Sequence, residues 1–173
     1  MTVFVAFLRA VNVGGTGKIA MADLRALAEK QGFRDVSTYI QSGNLVFRTD
    51  MDRSQAHEAL NSALADYFGT TPGAFLRTCD DLRTLCARNP FPDADPKQVA
   101  FVFLPEDAPP GALETMVAPD GEQAVALGSE IVVHYPKGMG RSKLKLPALK
   151  PGTARNLNTL RALLEIAGNL AGQ

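Results

Sequence analysis

The stretch TVFVAFLRAVNVGGTGKIAMADLRALAEKQG, residues 2 to 32, sets two folds against each other. A strand, a glycine loop ending in lysine and a helix outline a nucleotide-phosphate site of the kind carried by a parallel sheet. The details argue against it. That loop needs G-x-x-x-x-G-K-[ST], with the lysine on the outer phosphates and the hydroxyl on Mg²⁺. Aligned on Gly17-Lys18, the first glycine is Asn12 and the hydroxyl is Ile19. In VAFVFLPED, Pro105 breaks the strand before Glu106 and Asp107, so no acid ends a second strand to hold the metal. The glycine loop is therefore a turn after a first strand. Gly14, Gly15 and Gly17 still leave open a nest of exposed amides for an anion, beside the plainer alternative of a loop with an exposed lysine.

Outward from this stretch the element order emerges. In the first strand both alternate sets are apolar, Val3/Val5/Phe7 and Phe4/Ala6/Leu8, which predicts cover on both faces. Met21, Leu24, Leu27 and Ala28 have helical spacing, with Gly32 as a left-handed C′ residue and Phe33 as its apolar lock. DVSTYIQSGNLVFRT reads as a hairpin around SGN. DRSQAHEALNSALADYFG reads as a helix with Asp52 at the N-cap, Gln55 at N3 and Gly69 at the end. GAFLRT is a strand and DDLRTLCARN a third helix, stopped by NPFP. After the Pro- and Asp-rich segment 89–97 the order repeats. QVAFVFL is a strand, PGALETMV a short helix with Pro110 near its start, EQAVALGSEIVVHYP a hairpin around GS, RSKLKL a helical turn and GTARN a weak strand. NTLRALLEIAG closes the chain as a helix, with Asn158 as N-cap, Leu160, Leu163, Leu164 and Ala167 as its buried stripe and Gly168 as C′.

βαββαβ is the ferredoxin-like order, an antiparallel sheet with both helices on one face. The expectation is an α+β protein of two tandem ferredoxin-like plait subdomains, residues 1–92 and 93–173, each followed by an extra helix. Each plait leaves one sheet face bare. Those faces are expected to pack on each other, on the extra helices or on a second subunit, the last making a homo-oligomer through an apolar sheet face.

Composition bounds the rest. The chain has 173 residues, 46% of them hydrophobic, enough for one good core or two small ones. Two cysteines, Cys79 and Cys86, make neither a disulfide framework nor a zinc site alone, which fits a reduced compartment. The N-terminus has no basic n-region, and no apolar run reaches the length of a membrane span. The expectation is a soluble, cytoplasmic protein without a membrane partner. His57 and His134 lack metal-ligand spacing, Asp80-Asp81 and Glu106-Asp107 suit helix starts, and no general base stands out. No metal, cofactor or catalytic set is expected.

Net charge is zero, yet unevenly spread. Residues 50–130 hold fourteen acids and five bases. From Ile131 to Leu164 there is no acid, while Lys137, Arg141, Lys143, Lys145, Lys150, Arg155 and Arg161 fall there; residues 1–22 also lack acids and carry Arg9 and Lys18. Both segments contain glycine loops. Such segments concentrate anionic ligands, or they are merely solvated faces.

Five blocks, FLRAVNVGGTGKIAMADLRALAEKQGF, VSTYIQSGNLVF, NPF, YPKGMGRSKLKL and TARNLNTLRALLEIA, resemble the bacterial family called domain of unknown function 1697, over residues 7–167. The resemblance implies a two-part fold of ferredoxin-like plaits and no established activity. Two positions depart from the family's usual pattern. Ala10 stands where glycine is usual, and Leu157 where tryptophan is usual, which removes an aromatic platform. The family blocks place Arg9, Asn12, Lys18, Gln41, Ser42, Asn44, Tyr135, Arg141, Ser142, Lys143, Arg155 and Asn156 at strand ends and turns. The set holds donors and cations and no carboxylate, as an anion held by charge-assisted hydrogen bonds requires. Each has a plainer alternative: SGN as a hairpin turn, Arg9 as cover for a strand end, Asn156 and Asn158 as caps. GRSKLKL, read as glycines before a short helix start, is the foremost anion candidate.

Three functions compete in this order: a small phosphorylated or carboxylated ligand, nucleic acid through segment 137–161, and an oligomeric scaffold. Only 7% of residues are aromatic and tryptophan is absent, which speaks against base stacking along a strand.

Overall fold

The computed structural model describes residues 1–15 and 17–173; Thr16, within the glycine loop, lies outside the described residues. Among the described residues are two four-stranded antiparallel sheets and four α-helices, an α+β architecture.

The first sheet holds β1 (Thr2–Leu8), β2 (Arg34–Thr38), β3 (Asn44–Thr49) and β4 (Ala74–Thr78) in the order β2-β3-β1-β4. β1 is central. It runs antiparallel to β3 from Thr2↔Thr49 to Phe7↔Asn44 and to β4 from Phe4↔Thr78 to Leu8↔Ala74. This register puts Phe4, Ala6, Leu8, Leu45, Phe47 and Leu76 on one face, where they pack with Leu24 and Ala28 of α1 (Met21–Glu29) and Leu60 and Leu64 of α2 (Arg53–Phe68). Val3, Val5, Phe7, Val46 and Phe75, on the other face, are buried as well, as the double apolar pattern of β1 predicts.

Local chemistry sets the helix ends. Asp52 accepts from the Gln55 N–H at 2.9 Å while Gln55 accepts from the Asp52 N–H at 3.0 Å, a reciprocal box that satisfies two orphan donors of α2. Gly69 (φ 73°) closes α2 in the left-handed conformation. After α1, Phe33 stacks on Phe47, centroids 4.1 Å apart at 7°, and locks the exit from the helix onto the sheet. His57 is structural: its Nε2 lies 2.9 Å from the Ala74 carbonyl and ties α2 to β4. α3 (Cys79–Ala87) follows β4 directly.

The second sheet, β5 (Val99–Phe103), β6 (Gln123–Leu127), β7 (Glu130–His134) and β8 (Thr153–Asn156), repeats the order as β6-β7-β5-β8. Ala100, Val102, Ile131 and Val133 share one face with Tyr135 and Leu146. Phe101, Phe103 and Val132 on the other face are also buried. α4 (Leu157–Ala171) ends the chain.

Three expectations in the second half need correction. PGALETMV is not a helix. Gly111 (φ 76°) takes a left-handed angle inside it, and the backbone closes i→i+3 turns instead, Ala112 N to Pro109 O and Glu114 N to Gly111 O at 3.0 Å. Leu113 and Met116, whose spacing suggested a helix, still reach the core from these turns. RSKLKL is not a helical turn. A short 3₁₀ turn at Met139–Arg141 ends on its first residue and another follows it at Pro147–Leu149, and between them Lys145 bridges antiparallel to Val117 with both N···O distances at 2.9 Å. Finally α4 begins two residues earlier and ends later than expected. Asn156, not Asn158, accepts from the N3 amide, Thr159 N, at 2.9 Å, and Gly168 lies within the helix. Its buried stripe is Leu157, Leu160, Leu163, Ala167 and Leu170.

The chain groups into two compact units, Met1–Arg83 with Leu163–Gln173, and Thr84–Ala162. The first sheet ends at Thr78 and the second begins at Val99, so each sheet lies wholly on one side of position 92. No helix among the described residues is long and apolar enough to cross a membrane.

Candidate functional site

In the first unit the candidate residues gather where β1 ends. The Leu8 amide donates to the Gly43 carbonyl at 2.8 Å, and Arg9 N to Gly73 O at 3.0 Å, so the loops after β1, before β3 and before β4 meet at one end of the sheet. Left-handed backbone concentrates here. Ala10 (φ 59°), Asn12 (φ 54°) and Ile40 (φ 50°) are three of the four non-glycine residues with positive φ among the described residues, joined by Gly14, Gly15, Gly17 and Gly43. A β-branched residue in this region is a genuine outlier, and Ile40 is 52% exposed, so no burial compensates for it.

Asn12 holds the loop. Its Oδ1 accepts from Ile19 N at 3.0 Å, its Nδ2 donates to Ile19 O at 3.1 Å, and its own N–H donates to Gly17 O at 2.9 Å. The clamp delivers the chain to α1 at Ala20, an N-cap with no side-chain hydrogen bond. Ala20 thus gives the first-turn N–H groups of α1 no side-chain cap, Asp23 places a carboxylate in that turn, and Lys18 stands exposed just before it. Here lies a surface groove of about 400 Å³, lined by Asn12, Gly15, Lys18, Ile19, Ala20, Gln41 and Tyr67. Three residues expected from the sequence, Asn12, Lys18 and Gln41, thus share one groove. Tyr67, near the end of α2, was not expected; no pattern in its helix marks it, because the fold alone brings it to the loop.

The remaining candidates of this unit are engaged otherwise. Asn44 is fully buried and donates from Nδ2 to Tyr39 O and to Ser42 Oγ, both at 3.0 Å, so the SGN segment is held as a turn. Arg9 is half-buried beside Gly73.

In the second unit the basic turn carries an acid that the sequence reading missed. Glu122 is buried, accepts from Ser142 Oγ at 2.7 Å and from Asp120 N at 2.9 Å, while Ser142 Oγ accepts from Leu144 N at 3.1 Å. Ser142 is thus engaged within the fold, and Arg141 and Lys143 stand exposed on either side. Lys137 pairs with Asp120 at 3.3 Å. Tyr135 is a core residue whose hydroxyl pKa is raised by burial and by the charge of Glu122. Arg155 is buried, donates from Nη1 to Thr153 Oγ1 at 2.8 Å and to Ala154 O at 2.9 Å, and burial brings its pKa down to about 10, so it remains charged at neutral pH. Asn156 is the α4 cap.

Burial pushes the Glu122 carboxyl up, but the bonds from Ser142 and from the backbone amides, with Lys137 nearby, outweigh it and hold its pKa below the ordinary value. A carboxylate whose folded pKa is depressed contributes stability above its unfolded pKa, ordinarily 4.5, and that stability is lost as pH falls through the folded value. Glu122→Gln is expected to flatten this acid limb of a Tm-versus-pH curve. An acid limb of unchanged slope would show that the Glu122–Ser142 contact does not set it.

Among the described residues no group of three or more His, Cys, Asp or Glu side chains could hold a metal.

Compared with known proteins, the chain is similar in fold to the conserved bacterial protein SP0830 from Streptococcus pneumoniae, at a TM-score of 0.76 and 22% identity, covering 96% of this chain and 98% of that one. At that identity the likeness concerns the fold alone. No curated protein matches. The model of the family described as protein of unknown function (DUF1697) matches residues 1–132, which take in the whole first sheet, the glycine loop and the groove, and the chain therefore belongs to the DUF1697 family.

Proposed function

We propose that the protein binds a small anionic ligand, phosphorylated or carboxylated, in the groove of its first unit. The observation that carries this is the meeting of Lys18, Gly15 and Gln41 at the start of α1, whose N-cap Ala20 makes no side-chain hydrogen bond, inside one groove of about 400 Å³. A helix start offers unpaired N–H groups and a positive dipole end, and lysine adds a point charge. Among the described lining residues there is no carboxylate to repel an anion. The lining supplies hydrogen-bond donors without a paired nucleophile and base, so the reading is of binding rather than turnover. We read the scaffold as tandem ferredoxin-like plaits, because both sheets share one strand order; in the second, turns replace the helices.

Inorganic phosphate at a hundredfold excess over its Kd is expected to stabilise the protein by about 2.7 kcal/mol, a rise of about 5–10 °C in Tm for a chain of this size. Lys18→Ala is expected to remove most of that rise. A wild-type Tm indifferent to phosphate, sulfate and small carboxylates sinks the proposal. Arg141→Ala with Lys143→Ala is the counterpart in the second unit. If that double variant abolishes the shift and Lys18→Ala does not, the anion belongs to the basic turn.

Nucleic-acid binding through segment 137–161 has less support, since Arg155 is buried and Lys137 is paired with Asp120. It would show as a log–log salt slope of about −0.7 per phosphate contacted, against a shallow slope for one small anion. The scaffold reading finds no bare sheet face on β1, β3, β5 or β7, whose apolar side chains are buried in the single chain.

A further inference from the structure

We infer that β6 is a docking edge that takes an extended, basic peptide segment of a partner protein as one more strand of the second sheet. β6 lies in the second unit, so nothing here depends on the anion groove of the first.

A sheet edge presents unpaired backbone groups, and folded proteins ordinarily guard them. The outer strands among the described residues are β2, β4, β6 and β8. β2 carries exposed Arg34 and Asp35, with a register shift between Arg34 and Ser37 and φ 52° at Asp35. In β4, Arg77 Nη1 donates to Leu76 O at 3.0 Å; in β8, Arg155 Nη1 donates to Ala154 O at 2.9 Å. Each arginine thus lies over a carbonyl of its own strand. β6 differs from all three. Its sequence QAVAL holds no charge and no proline, and it pairs with β7 from Gln123↔His134 to Leu127↔Glu130 without a shift.

The turn between β6 and β7 has two residues, Gly128 and Ser129, and Leu127 pairs with Glu130 across it. Such a pair exchanges both backbone hydrogen bonds, and the exchange recurs at every second rung. Gln123, Val125 and Leu127 therefore spend their N–H and C=O groups on β7, while those of Ala124 and Ala126 point outward. Among the described residues no backbone bond engages these outward groups. Two donors and two acceptors on extended chain are what an added strand recognises. Ala126 is exposed, and Val125 and Leu127 are partly so, which opens both faces of the edge to small or apolar side chains at alternate positions.

Charge identifies the partner's chemistry. Between Lys97 and Lys137 there is no lysine or arginine, but there are Glu106, Asp107, Glu114, Asp120, Glu122 and Glu130. Asp120 and Glu122 are engaged with Lys137 and Ser142. Glu106, Asp107 and Glu130 gather at the turn end of β6. There Leu104 N donates to Ser129 O at 2.8 Å and Ala108 N to Gly128 O at 2.9 Å, and a Cβ on Gly128 would lie 3.8 Å from Asp107 Oδ1. A second copy pairing β6 on β6 about Val125 would satisfy the same backbone groups, but it sets two acidic hairpins side by side. An antiparallel segment that opens with lysine or arginine beside the turn answers both the edge and the acids.

The test uses the full chain and a blocked peptide of two lysines followed by three valine–threonine repeats. Binding is titrated by calorimetry and amide hydrogen exchange is followed by NMR. In the free protein the amides of Ala124 and Ala126 are expected to exchange fast and those of Val125 and Leu127 slowly. Saturating peptide is expected to slow the first two by roughly tenfold or more. With two glutamates in place of the lysines the peptide is expected to bind about tenfold weaker, as is the lysine peptide to Asp107→Asn with Glu130→Gln. Ala126→Pro removes an outward donor and none that β7 uses, and is expected to weaken binding by about tenfold. Ala126→Lys supplies the missing guard and is expected to do the same. The unliganded Tm of each variant verifies that it is folded. Unchanged exchange at Ala124 and Ala126 under peptide, or equal affinity for the lysine and glutamate peptides, overturns the inference. So does a wild-type dimer in sedimentation that Ala126→Pro makes monomeric, which would give the edge to a second copy.

Discussion

Gly17→Ala is expected to destabilise the protein by about 2–4 kcal/mol and to abolish anion binding with it. A Cβ at residue 17 would lie 2.1 Å from the Ala10 carbonyl oxygen, with Ala10 C at 3.2 Å and Val11 Cα at 3.3 Å. The obstacle is backbone, which cannot swing aside as a side chain can. The residue also has φ +60°, where an L side chain costs about 1–2 kcal/mol on its own. Relief requires the loop to open, and opening it separates Asn12 N from Gly17 O and strains the two bonds between Asn12 and Ile19. Asn12 and Lys18 then leave the places from which they line the groove. The neighbouring glycines supply the control. Gly14 and Gly15 have positive φ but nothing within 4 Å of a Cβ, so alanine there costs the conformational strain alone. Ala10→Gly goes the other way, relieving φ 59° at an exposed site and raising stability by up to about 1 kcal/mol. Thermal unfolding of the four variants decides it. If Gly17→Ala costs no more than Gly14→Ala, the contact with Ala10 is not what holds the loop.

The same loop marks where the sequence was legible and where it was not. Features whose physics is local were readable. The Asp52–Gln55 box, Gly69 and the double apolar pattern of β1 each depend on neighbours within a few residues, and each takes the expected place; Gly32 is left-handed as expected, but α1 ends at Glu29 with Lys30 as its cap, two residues before it. The second unit misled where two patterns satisfy the same burial. Leu113 and Met116 have helical spacing, yet a glycine turn buries them equally well. Leu144 and Leu146 alternate with Lys143 and Lys145, a period of two that signals extended chain, and they pack as such around the bridge to Val117. The candidate site was legible in position more than in role. Asn12 lies in the groove, but both ends of its amide are spent on Ile19. Ser142 was expected to face an anion and instead donates to Glu122, twenty residues earlier in the chain. That carboxylate, like Tyr67, is brought in by tertiary contact, for which no local spacing stands as a sign.

Gly152→Ala is expected to be the most damaging single-methyl change in the second unit. Gly152 has no need of positive φ; its constraint is space. A Cβ there would lie 2.5 Å from Phe103 O, 2.8 Å from Val102 Cγ1 and 3.0 Å from Leu104 Cδ2. Phe103 and Val102 are the last two residues of β5, one fully and the other nearly buried, and they pair with Thr153 and Ala154 at the start of β8. The methyl can be accommodated only by moving β8 off β5 at its first rung. That shift reaches Arg155, whose guanidinium depends on Thr153 Oγ1 and Ala154 O to offset its burial. An overpacked core site of this kind costs about 1–3 kcal/mol, and the disturbance of a buried cation adds to it. The expected result is a fall in Tm of about 4–12 °C, at roughly 2–4 °C per kcal/mol for this chain length. Gly140→Ala is the matched control: it too lacks positive φ, but a Cβ there meets nothing within 4 Å, so its Tm should stay near the wild type. Equal Tm values for the two variants would mean that β8 docks on β5 with slack that the distances around Gly152 do not contain.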